Sequence, residues 1–156
     1  YLIGEYFTVD PRNIHAYVIG EHGDTEFVAW SQSFMGTKPI KEFIAESDGR
    51  FSLSELDNIS QNVRLAASKI IDAKKATYYG IGMALVRITK AILGDENSIL
   101  TVSAQLDNKG VFAGMPCIVN ANGIQKVLSL SLSDDERQML EKSCSTLEKC
   151  YKELNL

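Results

Sequence analysis

The sequence predicts an α+β domain in which antiparallel sheets pack against long helices. Three observations carry this. Apolar residues recur at helical spacing at Leu53, Leu56, Ile59, Val63, Ala66, Ile70 and Ile71, and again at Met139, Leu140, Leu147, Tyr151 and Leu154. Residues 98–106 alternate instead: Leu100, Val102, Ala104 and Leu106 oppose Ile99, Thr101, Ser103 and Gln105, the pattern of a half-buried antiparallel strand. Residues 115–119 and 124–132 then flank Asn120-Ala121-Asn122-Gly123, a hairpin signal. No repeat, low-complexity segment or linker divides the 156 residues, which are enough for one domain with a core.

Taken in order, residues 1–7 read as a short helix with Leu2, Ile3, Tyr6 and Phe7 on one stripe, stopped at Asp10-Pro11. Its abrupt start suggests that the chain is part of something longer. Residues 14–19 read as a strand and 26–30 as a shorter extended stretch. It ends at Trp30, the only tryptophan, expected to be a core or rim aromatic. Pro39 opens a helical turn over 40–44, and Ser47-Asp48-Gly49-Arg50 is a solvated connection. Ser52 with Glu55 three residues later is a capping box for a long helix carrying the stripe from Leu53 to Ile71. Arg64, Lys69, Lys74 and Lys75 are expected on its solvated face.

Residues 76–93 are apolar nearly all round, which predicts a buried helix ending at Gly94-Asp95. Gly80-Ile81-Gly82 within it lacks the third glycine or alanine and the preceding strand of a dinucleotide fingerprint, so close packing is the better reading. Asp107-Asn108-Lys109-Gly110 reads as a turn. Ser133 with Glu136 caps the last helix.

Composition narrows the function classes. A hydrophobic content of 45% and a charged content of 23% are those of an ordinary globular domain. The net charge of −4 and the lack of a basic block argue against nucleic acid. No apolar run is long enough to span a membrane, and Glu5 and Asp10 interrupt any leader pattern, which leads us to expect a cytoplasmic protein. Cys117, Cys144 and Cys150 have no metal-ligand spacing, so thiols in a reducing compartment and no metal site are expected.

The chemistry-bearing stretch is Ile19-Gly20-Glu21-His22-Gly23-Asp24-Thr25. A strand delivers one imidazole to a loop, and the glycines permit a tight turn and the close approach of a ligand. Histidine titrates near neutrality and is a natural proton donor or acceptor. A loop histidine bonded only to its neighbours is the plain alternative.

Gly20-Glu21-His22-Gly23-Asp24-Thr25 resembles the catalytic-histidine segment of the L-lactate dehydrogenases, within the lactate/malate dehydrogenase family. Tyr1-Leu2-Ile3-Gly4-Glu5-Tyr6-Phe7, Val9-Asp10-Pro11, Ile14-His15-Ala16-Tyr17, Ala76-Thr77-Tyr78-Tyr79-Gly80-Ile81 and Ile99-Leu100-Thr101-Val102-Ser103 resemble it in the same order, so the likeness covers essentially the whole chain. The resemblance is to the C-terminal catalytic domain alone, of the bacterial allosteric type. It implies that the N-terminal NAD-binding Rossmann domain is absent.

This resemblance implies interconversion of pyruvate and NADH with L-lactate and NAD, with His22 as proton donor and acceptor. Thr77 matches a substrate-contacting threonine, though a helix cap would explain it equally well. Ile81 matches an apolar residue packed against the nicotinamide, and plain core is its alternative. His15 matches a position that binds the effector fructose 1,6-bisphosphate in the allosteric branch. The family's orienting aspartate and carboxylate-gripping arginine precede Tyr1, so the chain by itself is expected to be inactive. A homotetramer is implied for the full enzyme. Val28-Ala29 before Trp30 is shared with an L-2-hydroxyisocaproate dehydrogenase branch, which keeps that substrate class open. A non-catalytic oligomerisation module is the reading from a different class.

Overall fold

The computed structural model describes residues 1–106 and 110–154. In chain order these form α1 (Leu2–Phe7), β1 (Ile14–His15), β2 (Val18–Ile19), β3 (Phe27–Val28), β4 (Phe34–Met35) and β5 (Lys38–Pro39). The helices α2 (Ile40–Ala45), α3 (Leu53–Arg64), α4 (Ala66–Lys74) and α5 (Tyr79–Leu93) follow. The strands β6 (Ser98–Gln105), β7 (Phe112–Asn120) and β8 (Gly123–Val127) precede the last helix, α6 (Asp134–Glu153). All the strand pairings are antiparallel: β1-β4-β5, β2-β3 and β6-β7-β8. The α+β class expected from the sequence is the one observed.

The β6-β7-β8 meander is the most regular part and follows the sequence pattern closely. Ile99, Thr101, Ser103 and Gln105 face solvent, while Leu100 and Val102 are half-buried and Ala104 is buried. Asn120 pairs with Gly123 across Ala121-Asn122, and Gly123 takes a φ of +84°, the left-handed backbone that such a short turn needs. The second hairpin strand ends at Val127, short of Leu132. The proposed turn at 107–110 falls largely on residues 107–109, outside those described.

Two apolar cores result. One joins Ile19, Phe27 and Ala29 to Ala104, Met115, Cys117 and Val119 of the meander, with Leu140 of α6 packed against it. The other joins Ile3 and Phe7 of α1 to Ile40, Ile44, Leu56 and Ile59. Tyr6, Phe7, Phe43 and Phe51 cluster there with ring centroids 4.8 to 5.7 Å apart and tilted or edge-on geometry. Trp30 sits at the rim, as expected: it is half-buried and its indole N–H donates to Ser60 Oγ of α3 at 3.0 Å.

Several elements differ from the sequence expectation. The strand at 14–19 is two short strands in different sheets, because β1 is captured by β4 and β2 by β3. The helix beginning at Leu53 breaks at Leu65 into α3 and α4. The break falls where packing is lost: Leu56 and Ile59 anchor α3, whereas α4 buries no residue, and Ile70 and Ile71 are exposed. The Ser52–Glu55 capping box does not form. Tyr6 Oη accepts the Ser52 N–H at 2.8 Å, Ser52 Oγ pairs with Ser54 Oγ, and Glu55 accepts instead from Asn58. The box at Ser133 and Glu136 does form.

The helix expected to be buried, α5, is the largest difference. It starts at Tyr79 and only Ala91 is buried, while Ile81, Met83, Leu85, Val86 and Leu93 are exposed. Its sequence is that of a covered helix, but nothing among the described residues covers these side chains. On α6, Leu140 packs inward while Met139 is exposed, as is Leu154 just past the helix end, so the stripe is narrower than its periodicity suggests. No helix among the described residues is long and apolar enough to cross a membrane.

Candidate active site

The His22 loop is built on a close backbone contact. β2 and β3 pair Val18 with Val28 and Ile19 with Phe27, so the residues between them must form a compact excursion. At its base Gly20 bridges to Gly114 of β7: the Gly20 N–H donates to Gly114 O at 3.0 Å and the Gly114 N–H to Gly20 O at 2.7 Å. Gly20 has a φ of +98°, a region that side chains disfavour. A Cβ at Gly114 would stand 3.2 Å from Gly20 O. Glycine at 20 thus suits the backbone conformation, and a side chain at 114 would crowd the loop where it meets the sheet.

Beyond that base the chain turns through Glu21-His22-Gly23-Asp24-Thr25. The Glu21 carboxylate folds back over the turn, where Oε2 accepts from the Thr25 hydroxyl and from the Thr25 N–H at 3.3 Å. The Glu26 N–H closes onto Gly23 O at 3.2 Å. The His22 imidazole projects outward and is 95% exposed. Its Nδ1 lies 3.4 Å from Glu26 Oε2, and the Glu26 side chain is largely buried. A carboxylate only accepts, so this contact places the proton of a neutral imidazole on Nδ1 and leaves Nε2 to face outward. An outward Nε2 that exchanges a proton with a ligand oxygen is what acid–base chemistry requires.

The other residues singled out by sequence are placed as follows. Thr77 is half-buried just before α5. The cap position belongs to Tyr78 and no side-chain cap bond forms, so helix capping does not account for Thr77. Ile81 lies in the first turn of α5 and is 53% exposed, so it is not core in this chain. The His22 loop and α5 both pack on β7, which makes that strand the platform between them. No hydrogen bond among the described residues links His22 to Thr77 or Ile81.

His15 stands apart. It is exposed on β1 and lines a surface groove of about 430 Å³ with Tyr17, Gln32, Phe34, Lys126 and residues 128–130. That lining holds two basic side chains and no carboxylate. No cluster of three or more His, Cys, Asp or Glu able to hold a metal ion occurs among the described residues.

Sequence reading missed two residues here. Glu26 could have been found, because it sits four residues after His22. Ser143 could not: it is buried on α6, 122 residues beyond Glu21, and accepts the Glu21 N–H at 2.5 Å.

Comparison with known proteins agrees with this architecture. The model of the lactate/malate dehydrogenase α/β C-terminal domain matches residues 1–155. L-lactate dehydrogenase of Geobacillus stearothermophilus is 50% identical over 152 residues, covering 95% of this chain and 48% of the relative. L-lactate dehydrogenase 1 of Bacillus cereus is 48% identical with the same coverage. Among solved structures, a lactate dehydrogenase from a Medee basin deep-sea metagenome library superposes with a TM-score of 0.96 at 43% identity, covering 100% of this chain and 51% of that one. The minor L-lactate dehydrogenase of Enterococcus mundtii, in its ligand-bound form, gives 0.89 at 44% identity, covering 94% and 48%.

The fold is that of an α/β C-terminal dehydrogenase domain. The chain belongs to the lactate/malate dehydrogenase family, as its α/β C-terminal domain. It spans about half the length of the curated relatives it matches.

Proposed function

We propose that this domain supplies the proton-transfer half of an NAD-dependent L-lactate dehydrogenase, with His22 as the acid and base. The observation that carries the reading is the exposed imidazole whose Nδ1 is turned to Glu26 and whose Nε2 is left outward. In pyruvate reduction, protonated His22 stabilises charge growing on the carbonyl oxygen and then donates its Nε2 proton. In lactate oxidation, neutral His22 accepts the hydroxyl proton. Glu26 steadies the imidazolium in between.

In this reading the Thr77 hydroxyl contacts the substrate, as the sequence resemblance implies, and exposed Ile81 offers an apolar surface that fits one face of a nicotinamide ring. NAD, when bound, supplies the hydride chemistry, and a second, nucleotide-binding half holds most of it. In this reading the chain alone turns over nothing, and the complete enzyme is a cytoplasmic homotetramer. His15 with Lys126 forms the basic groove for a phosphate-ester effector, for which the sequence resemblance implies fructose 1,6-bisphosphate.

The test joins this chain to the N-terminal half of the Geobacillus stearothermophilus enzyme and follows NADH oxidation with pyruvate. We expect turnover that falls about a hundred- to ten-thousandfold in His22→Gln with the fold retained. Near-normal turnover in that variant would sink the role of His22. Preference for 2-oxoisocaproate over pyruvate would move the assignment to the branched-chain 2-hydroxy acid class. No turnover from a folded, assembled hybrid favours the oligomerisation module. In the same assay fructose 1,6-bisphosphate should activate, and His15→Ala should remove the activation; an equal response in both disproves the effector groove.

A further inference from the structure

The loop carrying His22 is held by a residue from the far end of the chain. Ser143 lies in α6 and is fully buried. Its Oγ accepts the Glu21 N–H at 2.5 Å and lies 3.0 Å from Thr25 Oγ1. The Thr25 hydroxyl has one proton, and it goes to Glu21 Oε2, which as a carboxylate oxygen can only accept. The 3.0 Å contact is therefore donated by Ser143. The bonds form a closed circuit: Glu21 N–H to Ser143, Ser143 O–H to Thr25, and Thr25 O–H back to the Glu21 side chain. Hydrogen bonds arranged head to tail in this way polarise and strengthen one another.

The circuit grips the loop at residues 21 and 25, on either side of His22. Among the described residues the imidazole has only the 3.4 Å contact to Glu26 as a polar partner, so its place in space depends on the backbone beneath it. A Cβ at Gly20 would come within 2.5 Å of Ser143 Oγ, so glycine at that position is what admits the hydroxyl. We propose that Ser143 is a positioning residue for proton transfer at His22, acting through the hydrogen-bond circuit it closes with Glu21 and Thr25. This rests on the reading of His22 as the proton donor.

The test uses the same hybrid enzyme with Ser143→Ala, Ser143→Cys and Thr25→Val. Ser143→Cys keeps a side chain of similar size with a much weaker acceptor, and Thr25→Val breaks the circuit from the other side without opening a cavity. Each variant should lower kcat about ten- to hundredfold, as expected for a misplaced reacting group, while KM for pyruvate stays within about twofold. The Ser143→Ala and Thr25→Val losses should not add, because both break one circuit. In a His22→Gln background neither should cause further loss. Folded Ser143 and Thr25 variants that keep kcat, alongside an inactive His22→Gln, overturn the proposal and leave the His22 reading intact. A Ser143 loss that adds in full to that of His22→Gln also overturns it, since the serine would then serve only the fold. If His22→Gln itself keeps its turnover, the functional reading has failed first and the proposal falls with it.

Discussion

Glu136 joins segments 105 residues apart in the sequence. Its Oε1 accepts the Ser31 N–H at 2.9 Å, and its Oε2 accepts the Ser31 hydroxyl and the Ser133 N–H at 3.1 Å. Burial alone would raise the pKa of this carboxyl, but the hydrogen bonds from Ser31 and Ser133 outweigh it and the net shift is downward. A carboxyl held below its unfolded value of about 4.3 contributes stability that is fully present above that pH. That contribution is lost as pH falls through the lower, folded value. Glu136→Gln should therefore cost about 1–3 kcal/mol at pH 7 by leaving donors unsatisfied. The difference from the parent should shrink toward pH 3, as urea unfolding at the two pH values would show; an equal difference at both would refute the assignment. The Ser133 side of this arrangement is legible in the sequence, because a capping box is a local spacing. The Ser31 side is not, for the same reason that Ser143 is not: nothing near a serine in the chain tells which distant segment will cover it. His22 drew attention because two glycines and two carboxylates surround it in sequence, a pattern that by itself fits an ordinary loop histidine equally well; its proposed role comes from the resemblance of that segment to the family.

Elements whose partners are local were readable, and those whose partners are remote were not. The meander β6-β7-β8 needs only alternation and an Asn-Gly turn, and both lie within one stretch of chain. The split of residues 14–19 into β1 and β2 arises because two different strands, β4 and β3, capture the two halves, a choice that the apolar run itself does not encode. Helix α3 could be read from its stripe, but its end could not, because periodicity continues after packing stops. The physical consequence lies in α4. With no buried residue, that helix has little to hold it beyond its own backbone bonds, and short isolated helices are marginal in water. Amide hydrogen exchange should be at least about tenfold faster in α4 than around Leu56 and Ile59 of α3. Equal protection across Leu65 would mean that α3 and α4 open as one unit.

At the scale of the molecule, the exposed apolar side chains of α5 bear on behaviour in solution. Met83 is 67% and Leu85 60% exposed, on different sides of the helix, and Ile81 and Val86 are exposed as well. Exposed apolar patches of this kind associate. Sedimentation should show concentration-dependent association of the chain, weakened by Met83→Lys with Leu85→Lys; a parent that stays monomeric at every concentration would contradict this. The sequence predicts a buried helix here, and the structure exposes its apolar side chains instead, because hydrophobicity all round a helix says nothing about which surface packs on it. The backbone junction between Gly20 and Gly114 has a consequence of another kind. Gly114 sits on a strand, 94 positions after Gly20, and has no chemistry of its own, yet any side chain there presses on the loop that presents His22. The interior of a strand is thus sensitive to the shape of a loop far from it in sequence, and a Cβ added at position 114 should displace the loop's backbone by a few tenths of an ångström.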